Sequence, residues 1–129
     1  MAKVVICFFN LFCDLIVYLK VIGRGIDLAT LVKDVYLLDW LNINCIRTSH
    51  YPYAEEFYQF ADQMGIAVID EVPAVGFKYA QNFNKITNSL HKQLLSEMYD
   101  RDKNHPSVVM WSLANEASVD LDPSVPYFM

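Results

Sequence analysis

The fold is decided by the stretch MWSLANE (110–116), where an apolar run ends abruptly in an amide and a carboxylate. Together with Val108 and Val109 before it, this stretch predicts a strand buried on both faces, as in parallel sheets. Asn115 and Glu116 then stand where the strand leaves the core, which in α/β proteins is where ligands bind. Partial burial there would raise the pKa of Glu116 and suit it to general acid catalysis. The alternative is that Glu116 simply opens a solvated loop.

Composition limits the classes of protein to which the chain can belong. Its 129 residues make one small domain or a piece of a larger one, and 54% of them are hydrophobic, which indicates much buried surface. The net charge of -5 and the lack of a Lys/Arg cluster argue against a nucleic-acid partner. The three cysteines form no C-x-x-C pair, so neither a disulfide framework nor a zinc site is indicated.

Residues 1–22 form an apolar segment that differs from the rest of the chain. The run VVICFFNLFCDLIVYL (4–19) follows Lys3 and resembles the apolar part of a signal peptide, although Asn10 and Asp14 interrupt it. The other interpretations are a buried strand or helix, and sequence foreign to the fold. A membrane span is less favoured, because Asp14 would lie near the bilayer centre. We expect a secreted or lysosomal protein if the segment acts as a signal, and an intracellular one otherwise.

From residue 23 onward, the chain alternates between helix and strand. Apolar spacing and capping residues predict helices from Asp27 to about 41, from about 54 to 64 with Gly65 as C-terminal cap, and from Asn88 or Ser89 onward. The predicted strands are 43–48, 66–69 and 108–111, and a long irregular loop occupies 73–87. This order is typical of βαβ crossovers and predicts a parallel sheet.

Polar side chains follow each of the three predicted strands. They are Arg47 and His50 after the first, Asp70-Glu71 after the second, and Asn115-Glu116 after the third. If the strands are parallel neighbours, these groups converge on one rim and suit a sugar-processing site, with Tyr51, Tyr53 and Trp111 available to pack on sugar faces. The alternatives are that Arg47 forms a structural ion pair with Asp70 or Glu71, and that His50 is an ordinary loop histidine.

Two long motifs resemble the signatures of glycoside hydrolase family 2. The segment NCIRTSHYP (44–52) matches N-x-hydrophobic-R-small-small-H-Y-P, and DKNHPSVVMWSLANE (102–116) ends in the pattern W-[GS]-x-x-N-E. Within the family, YPYAEE (51–56) and IDEVPAVGF (69–77) resemble β-glucuronidases more than β-galactosidases. The similarity extends over about residues 23–118, apart from the loop 78–88.

The resemblance implies a (β/α)8 TIM barrel that hydrolyses β-D-glucuronides with retention. It implies that Glu116 is the acid/base and that Asn115 hydrogen-bonds the sugar's 2-hydroxyl. Arg47 and His50 would line the subsite, with Arg47 helping to hold the nucleophile ionised, and Asp70-Glu71 would shape the same pocket. It implies no metal or organic cofactor, and it allows an oligomer as in the family.

The chain also departs from the family pattern. Residues 23–129 correspond to roughly strands two to four of the barrel with their helices, and the nucleophile, which the family carries on a later strand, has no counterpart in this chain. Ala117 replaces the family's proline, and LDPSVP (121–126) resembles a segment that normally follows another helix. We therefore expect a glycosidase-derived chain that is inactive alone. The alternatives are a non-catalytic sugar-binding or interaction fragment, and a truncated gene product.

Overall fold

The computed structural model describes residues 27–118 and 120–129, together with the backbone of Cys7–Phe8. Its elements are β1 (Cys7–Phe8), α1 (Leu28–Trp40), β2 (Cys45–Arg47), α2 (Glu55–Met64), β3 (Ala67–Glu71), a 3₁₀ turn (Ala80–Asn82), α3 (Lys85–Asp102), β4 (Val108–Ser112) and α4 (Ser124–Phe128). The predicted alternation of helix and strand is thus confirmed. The predictions for the apolar N-terminal segment lie outside the described residues, except for the short strand β1. No helix in the described ranges is both long and apolar enough to cross a membrane.

The described strands form one parallel sheet in the order β1-β2-β3-β4. β2 and β3 are in register from Cys45 opposite Ala67 to Arg47 opposite Ile69. The pairing of β3 with β4 shifts between Val68 and Ile69, so that their partners are Val108 and Met110. Among the described strands, β1 and β4 each pair with a single neighbour, so the sheet is open. This arrangement agrees with the incomplete barrel expected from the sequence.

The larger core cluster joins α1 and α2 to one face of the sheet. It is made of apolar side chains that are almost completely buried, namely Leu38, Ile43, Ile46, Phe57, Tyr58, Ala61, Ile66 and Val68. Gly65 ends α2 in the left-handed conformation with φ 67°, which confirms the predicted cap and turns the chain directly into β3. This packing fixes where β2 and β3 end, and so where their polar side chains lie.

Helix α3 begins four to five residues earlier than predicted. Asn84, not Asn88 or Ser89, caps it: Asn84 Oδ1 accepts the N–H groups of Ile86 and Thr87 at 2.9 and 3.0 Å. Thr87 completes a capping box by accepting the Asn84 N–H at 3.2 Å. The loop before α3 is therefore shorter than the sequence predicted.

The prediction that β4 is buried on both faces is wrong for the described chain. Val109 and Met110 are 64% and 57% exposed. The two residues are adjacent, and successive strand side chains point to opposite faces. Val109 and Met110 thus reach the surface on opposite faces of β4, at the open edge of the described sheet.

A second core cluster holds the segment that follows β4. In this cluster Phe77, Phe83 and Tyr127 pack on one another, and Phe77 and Tyr127 stack on His91 of α3, with ring centres 5.2 to 5.8 Å apart. His91 Nε2 lies 2.7 Å from the carbonyl oxygen of Leu113, and its Nδ1 lies 3.2 Å from the Tyr127 hydroxyl. Burial lowers the pKa of His91 and so favours the neutral ring, which donates from Nε2 to Leu113. α3 thereby anchors the chain two residues before Asn115.

Candidate active site

The ends of β2, β3 and β4 meet at one rim, as parallel strands require. An open cleft of about 590 Å³ lies there, lined by Arg47, His50, Ile69, Met110, Trp111, Ser112, Ala114, Asn115 and Glu116. Four of the residues predicted for the site therefore line one cleft, namely Arg47, His50, Asn115 and Glu116. The convergence of strand ends is confirmed, whereas the catalytic and binding roles stay predictions.

A buried ion pair between Arg47 and Glu71 forms the base of the cleft. Arg47 donates from Nε to Glu71 Oε2 at 2.5 Å and from Nη2 to Oε1 at 3.0 Å. The Glu71 side chain is 0% exposed and that of Arg47 is 15% exposed. Ser112 Oγ, from the adjacent strand β4, donates to Glu71 Oε2 at 2.7 Å. A two-pronged guanidinium–carboxylate contact with a third donor is rigid, so it fixes the position of the Arg47 head group.

Asn115 is oriented by Arg47. Arg47 Nη2 donates to Asn115 Oδ1 at 2.7 Å, and the Asn115 side chain is buried. Because a guanidinium has only donors, the amide oxygen of Asn115 must face it, which leaves the Asn115 NH2 group on the other side. The Asn115 N–H donates to the carbonyl oxygen of Ala74 at 3.0 Å, so the backbone is held as well.

Glu116 stands at the exposed edge of the cleft. Its side chain is 70% exposed, and its Oε2 lies 2.9 Å from Nζ of Lys78, which is itself 52% exposed. The Lys78 hydrogen bond and charge lower the pKa of Glu116, and the more distant charges of His50 and Arg47 add to this. The sequence interpretation of a partly buried carboxylate with a raised pKa is therefore wrong for the described chain.

The backbone at Glu116 is unusual for a residue with a side chain. Its φ of 47° lies in the left-handed region, which costs free energy for any residue except glycine. Flanking hydrogen bonds hold this conformation: Ser118 N–H donates to the Phe77 carbonyl at 2.8 Å and Asn115 N–H to that of Ala74 at 3.0 Å. The segment 115–118 is thus fastened to the loop 74–78 on both sides of Glu116.

His50 lies over the buried ion pair. Its Nδ1 is 3.6 Å from Glu71 Oε1, and its side chain is 47% exposed. The ring is therefore open to the cleft on one side and close to a carboxylate on the other. This position fits the predicted lining role, and it also agrees with the simpler interpretation of a loop histidine beside an acid.

Asp70 does not reach the cleft, contrary to the sequence prediction. Its side chain is 0% exposed, and its Oδ1 accepts hydrogen bonds from Tyr58 Oη at 2.6 Å and Thr48 Oγ1 at 3.0 Å. Neighbouring residues of a strand point to opposite faces, so Glu71 turns towards Arg47 while Asp70 turns into the helix-covered core. Glu71 shapes the cleft from below without lining it.

Two of the three aromatic residues predicted to pack on a sugar lie outside the cleft lining. Tyr51 and Tyr53 are absent from the cleft lining and form a row with Phe57, with ring centres 6.1 and 5.2 Å apart. Trp111 does line the cleft, together with Met110. The Trp111 ring, however, packs against Tyr99 of α3 with ring centres 5.4 Å apart, in the second core cluster, so none of the three predicted sugar-packing rings is shown to face the cleft.

Lys78 and Ser112 are the site residues that sequence reasoning missed. Lys78 lies in the long irregular loop predicted at 73–87, but its pairing with Glu116 depends on how that loop folds back. Ser112 belongs to the opening motif, where the family pattern allows glycine or serine, and its bond to Glu71 requires the register of β4 on β3. The length of the loop was a usable sequence signal for Lys78. The sequence held no such signal for Ser112.

Comparisons with known proteins agree with this geometry. The family model for "Glycosyl hydrolases family 2, TIM barrel domain" matches residues 19–125. A β-glucuronidase of Paenibacillus borealis is 54% identical over 115 residues, which are 82% of this chain and 19% of that protein. A β-glucuronidase of Sus scrofa is 54% identical over 106 residues, which are 82% of this chain and 16% of that protein.

A solved structure is similar as well. The β-glucuronidase from Ruminococcus gnavus in complex with uronic deoxynojirimycin superposes with a TM-score of 0.79 and 49% identity, over 84% of this chain and 18% of that one. The chain thus spans about a fifth of the length of the proteins that it matches.

Proposed function

The chain belongs to glycosyl hydrolase family 2, and on that premise we propose that it carries the acid/base half of a retaining β-D-glucuronidase site. The observation that supports this most directly is the contact of Arg47 with both Glu71 and Asn115, beside Glu116. The arrangement presents an oriented amide and a carboxylate to one open cleft. These are the groups needed to hold a sugar hydroxyl and to protonate a glycosidic oxygen.

Asn115 is preorganised for its proposed role. Its amide oxygen is taken by Arg47, so the NH2 group is the part that can donate to the 2-hydroxyl oxygen of a sugar. Hydrogen bonds to the sugar's 2-hydroxyl group are among those that strengthen in the transition state of glycosidases. Since Arg47 is itself held by the buried Glu71, the donor needs little rearrangement when the substrate binds.

Glu116 has to lose its lysine partner to act as an acid. A general acid must be protonated at the working pH, and the contact with Lys78 lowers the pKa of Glu116. A sugar in the cleft that displaced Lys78 and excluded water would reverse this effect. In the proposed cycle, substrate binding therefore separates the two side chains before Glu116 protonates the leaving group.

The proposal leaves the nucleophile to a part of the protein other than the described residues. Retaining glycosidases hold two carboxyl groups about 5 Å apart. In the described chain the other carboxylate of the rim is Glu71, and it is buried and already bound by Arg47 and Ser112. We therefore expect the 129-residue chain to bind a glucuronide without hydrolysing it.

A chimaera tests the proposed role of Glu116. Residues 27–118 would replace the matching segment of the Paenibacillus borealis β-glucuronidase, which supplies the rest of the barrel. We expect hydrolysis of aryl β-D-glucuronides, and a loss of about 10²–10⁴-fold in kcat for a phenol leaving group in the Glu116→Gln chimaera. The loss should be much smaller for dinitrophenol, because that leaving group departs without a proton.

Two further results complete the test. Glu97→Gln, an exposed change on α3, serves as the matched control and should leave the rate unchanged. An equal loss for both leaving groups in the Glu116→Gln chimaera would contradict the acid/base assignment.

A second candidate function is sugar binding without turnover. It is favoured by the same cleft, in which Arg47 and Asn115 are fixed before any ligand arrives, while Glu116 is neutralised by Lys78. Titration of the chain with glucuronic acid and with glucose distinguishes a uronate-selective site from a general sugar site. Equal binding of the two sugars, or binding that survives Asn115→Ala, would count against this function.

A further inference from the structure

Two buried carboxyl groups outside the cleft face each other in the core. Asp70 lies on β3 and Asp102 is the last residue of α3, and both side chains are 0% exposed. The two carboxyls are close enough to hydrogen-bond. Two ionised carboxylates side by side in a medium of low dielectric constant repel each other strongly, so their protonation states are coupled.

The hydrogen-bond donors around the pair are unevenly distributed. Tyr58 and Thr48 both donate to Oδ1 of Asp70, while Arg101 donates to both oxygens of Asp102 at 2.7 and 2.6 Å. Among the described residues, no donor reaches the buried Oδ2 of Asp70. A buried carboxylate oxygen without a donor is costly, whereas a protonated Oδ2 would itself donate to Asp102.

The charges on the neighbouring helices do not balance the pair. Of the three cations on α3, Arg101 is the one that binds the pair, and its guanidinium carbon also lies 5.3 Å from the ring centre of Tyr58. α2 supplies Tyr58, whose pKa is raised by burial and then by the charge of Asp70, so it stays a neutral donor. One cation therefore faces two carboxyl groups from this side.

The other charged groups nearby are already paired. His105, before β4, stacks near Tyr58 with ring centres 5.4 Å apart, but its Nδ1 lies 2.7 Å from Asp62 Oδ2. Glu71, next to Asp70 on β3, faces the opposite side of the sheet and binds Arg47. Neither pair supplies a further cation to Asp70 and Asp102.

We propose that Asp70 and Asp102 share one proton, and that this proton locks the end of α3 to the end of β3. Asp70 carries the proton, since its Oδ2 has no donor among the described residues while both oxygens of Asp102 accept from Arg101. This inference does not depend on the proposed function. Burial is the main cause that raises the pKa of Asp70, to about 6, and the adjacent Asp102 adds to it.

The lock also supports the cleft. Thr48 Oγ1 donates to Asp70 and accepts the backbone N–H of Glu71 at 2.9 Å, so the same network sets the position of Glu71. Glu71 in turn holds Arg47. Asp70 is thus a positioning residue that acts on the cleft from the opposite face of β3.

The direction of the pH effect follows from the raised pKa. Between the ordinary pKa of 3.8 and the folded value of about 6, the folded chain binds more protons than the unfolded chain. The contribution of the shared proton to stability is therefore full below pH 3.8 and is lost as the pH rises through about 6.

The first test compares unfolding of the full chain and its Asp70→Asn variant from acidic to neutral pH. An asparagine reproduces the protonated group, because its NH2 can donate to Asp102 and its oxygen can accept from Tyr58 and Thr48. We expect the folding constant of the unmodified chain, divided by that of Asp70→Asn, to fall roughly a hundredfold as the pH rises, since the pKa shift is about two units. Asp100→Asn, an exposed change on the same helix, should leave the profile unchanged.

The second test observes the proton directly, by following ¹³C signals of labelled aspartate carboxyls through a pH titration. We expect one buried carboxyl to titrate near pH 6, and its midpoint to move down in Asp102→Asn, where the neighbouring charge is gone. An ordinary midpoint for Asp70 would overturn the proposal. So would a stability ratio that does not depend on pH, or an Asp70→Asn chain that fails to fold.

Discussion

The two sides of the cleft are built in different ways. On one side Arg47, Glu71 and Asn115 are mostly buried, and each is held by at least one of the others. On the other side Glu116 and Lys78 form a single exposed ion pair on loops. Arg47 and Glu71 belong to the sheet and cannot move without disturbing the core, whereas the exposed side can rearrange at little cost. Under the proposed function, substrate positioning and proton transfer would fall to parts of very different stiffness.

Glu71→Gln should have the largest effect on the buried side of the cleft. Removing the carboxylate charge leaves Arg47 as a mostly buried cation without its partner, and we expect a loss of about 3 kcal/mol in the free energy of unfolding. Urea denaturation of the full chain measures it. The exposed control Glu97→Gln should change the free energy by less than about 0.5 kcal/mol. Similar values for the two variants would show that the ion pair does not stiffen the cleft.

A smaller effect on the same side is expected from Ser112→Ala. The change removes one of three hydrogen bonds to Glu71 and leaves its charge in place. We expect the free energy of unfolding to fall by about 1–2 kcal/mol, again by urea denaturation. Ser96→Ala, an exposed change on α3, is the matched control. If both serine variants behaved alike, the Ser112 contact would be dispensable.

Lys78→Met tests the exposed side. We expect the denaturation midpoint to stay within error of the unmodified chain, and the pKa of Glu116 to rise towards its ordinary value. Because the pair lowers this pKa in the folded chain, any stability that it gives is present above the ordinary pKa and is lost as the pH falls through the lowered one. Carboxyl ¹³C titration measures the shift, with Lys92→Met as the control. If the pKa of Glu116 were the same in Lys78→Met as in the unmodified chain, the pairing would be refuted.

Salt should affect the two sides unequally, and this is the smallest expected effect. At about 1 M salt the Debye length is about 3 Å, so the exposed pair is screened while the buried pair is protected from ions. We expect the pKa of Glu116 to rise with salt in the unmodified chain and to respond much less in Lys78→Met. Equal responses in the two chains would mean that the lysine is not the source of the lowered pKa.

The sequence located the rim correctly because motif residues directly follow the apolar strands. Arg47, His50, Asn115 and Glu116 all line the cleft for this reason. The position after a strand could not show which of Asp70 and Glu71 turns towards the cleft, since both follow the strand and both are acidic. The separating signal is the two-residue period: Asp70 shares a face with the core residue Val68, and Glu71 with Ile69, which lines the cleft.

Other errors came from tertiary contacts that a sequence pattern does not contain. The exposure of Val109 and Met110 reflects the open edge of the described sheet, although their apolar character alone predicts burial. The lowered pKa of Glu116 depends on Lys78, which is 38 residues away and comes close only when the loop 74–78 is fastened to 115–118. The start of α3 was missed because three asparagines in the loop and first turn can each serve as a cap, and Asn84 does.

The most direct test of the central claim is an assay of the purified 129-residue chain with an aryl β-D-glucuronide, beside its Glu116→Gln variant. We predict that both chains bind the glucuronide and that neither releases the phenol above the uncatalysed rate, because Glu116 is the one carboxylate among the described residues that line the cleft, and a retaining site needs two. Turnover by the unmodified chain that disappears in Glu116→Gln would contradict the account, since it would require a second catalytic carboxylate within this chain.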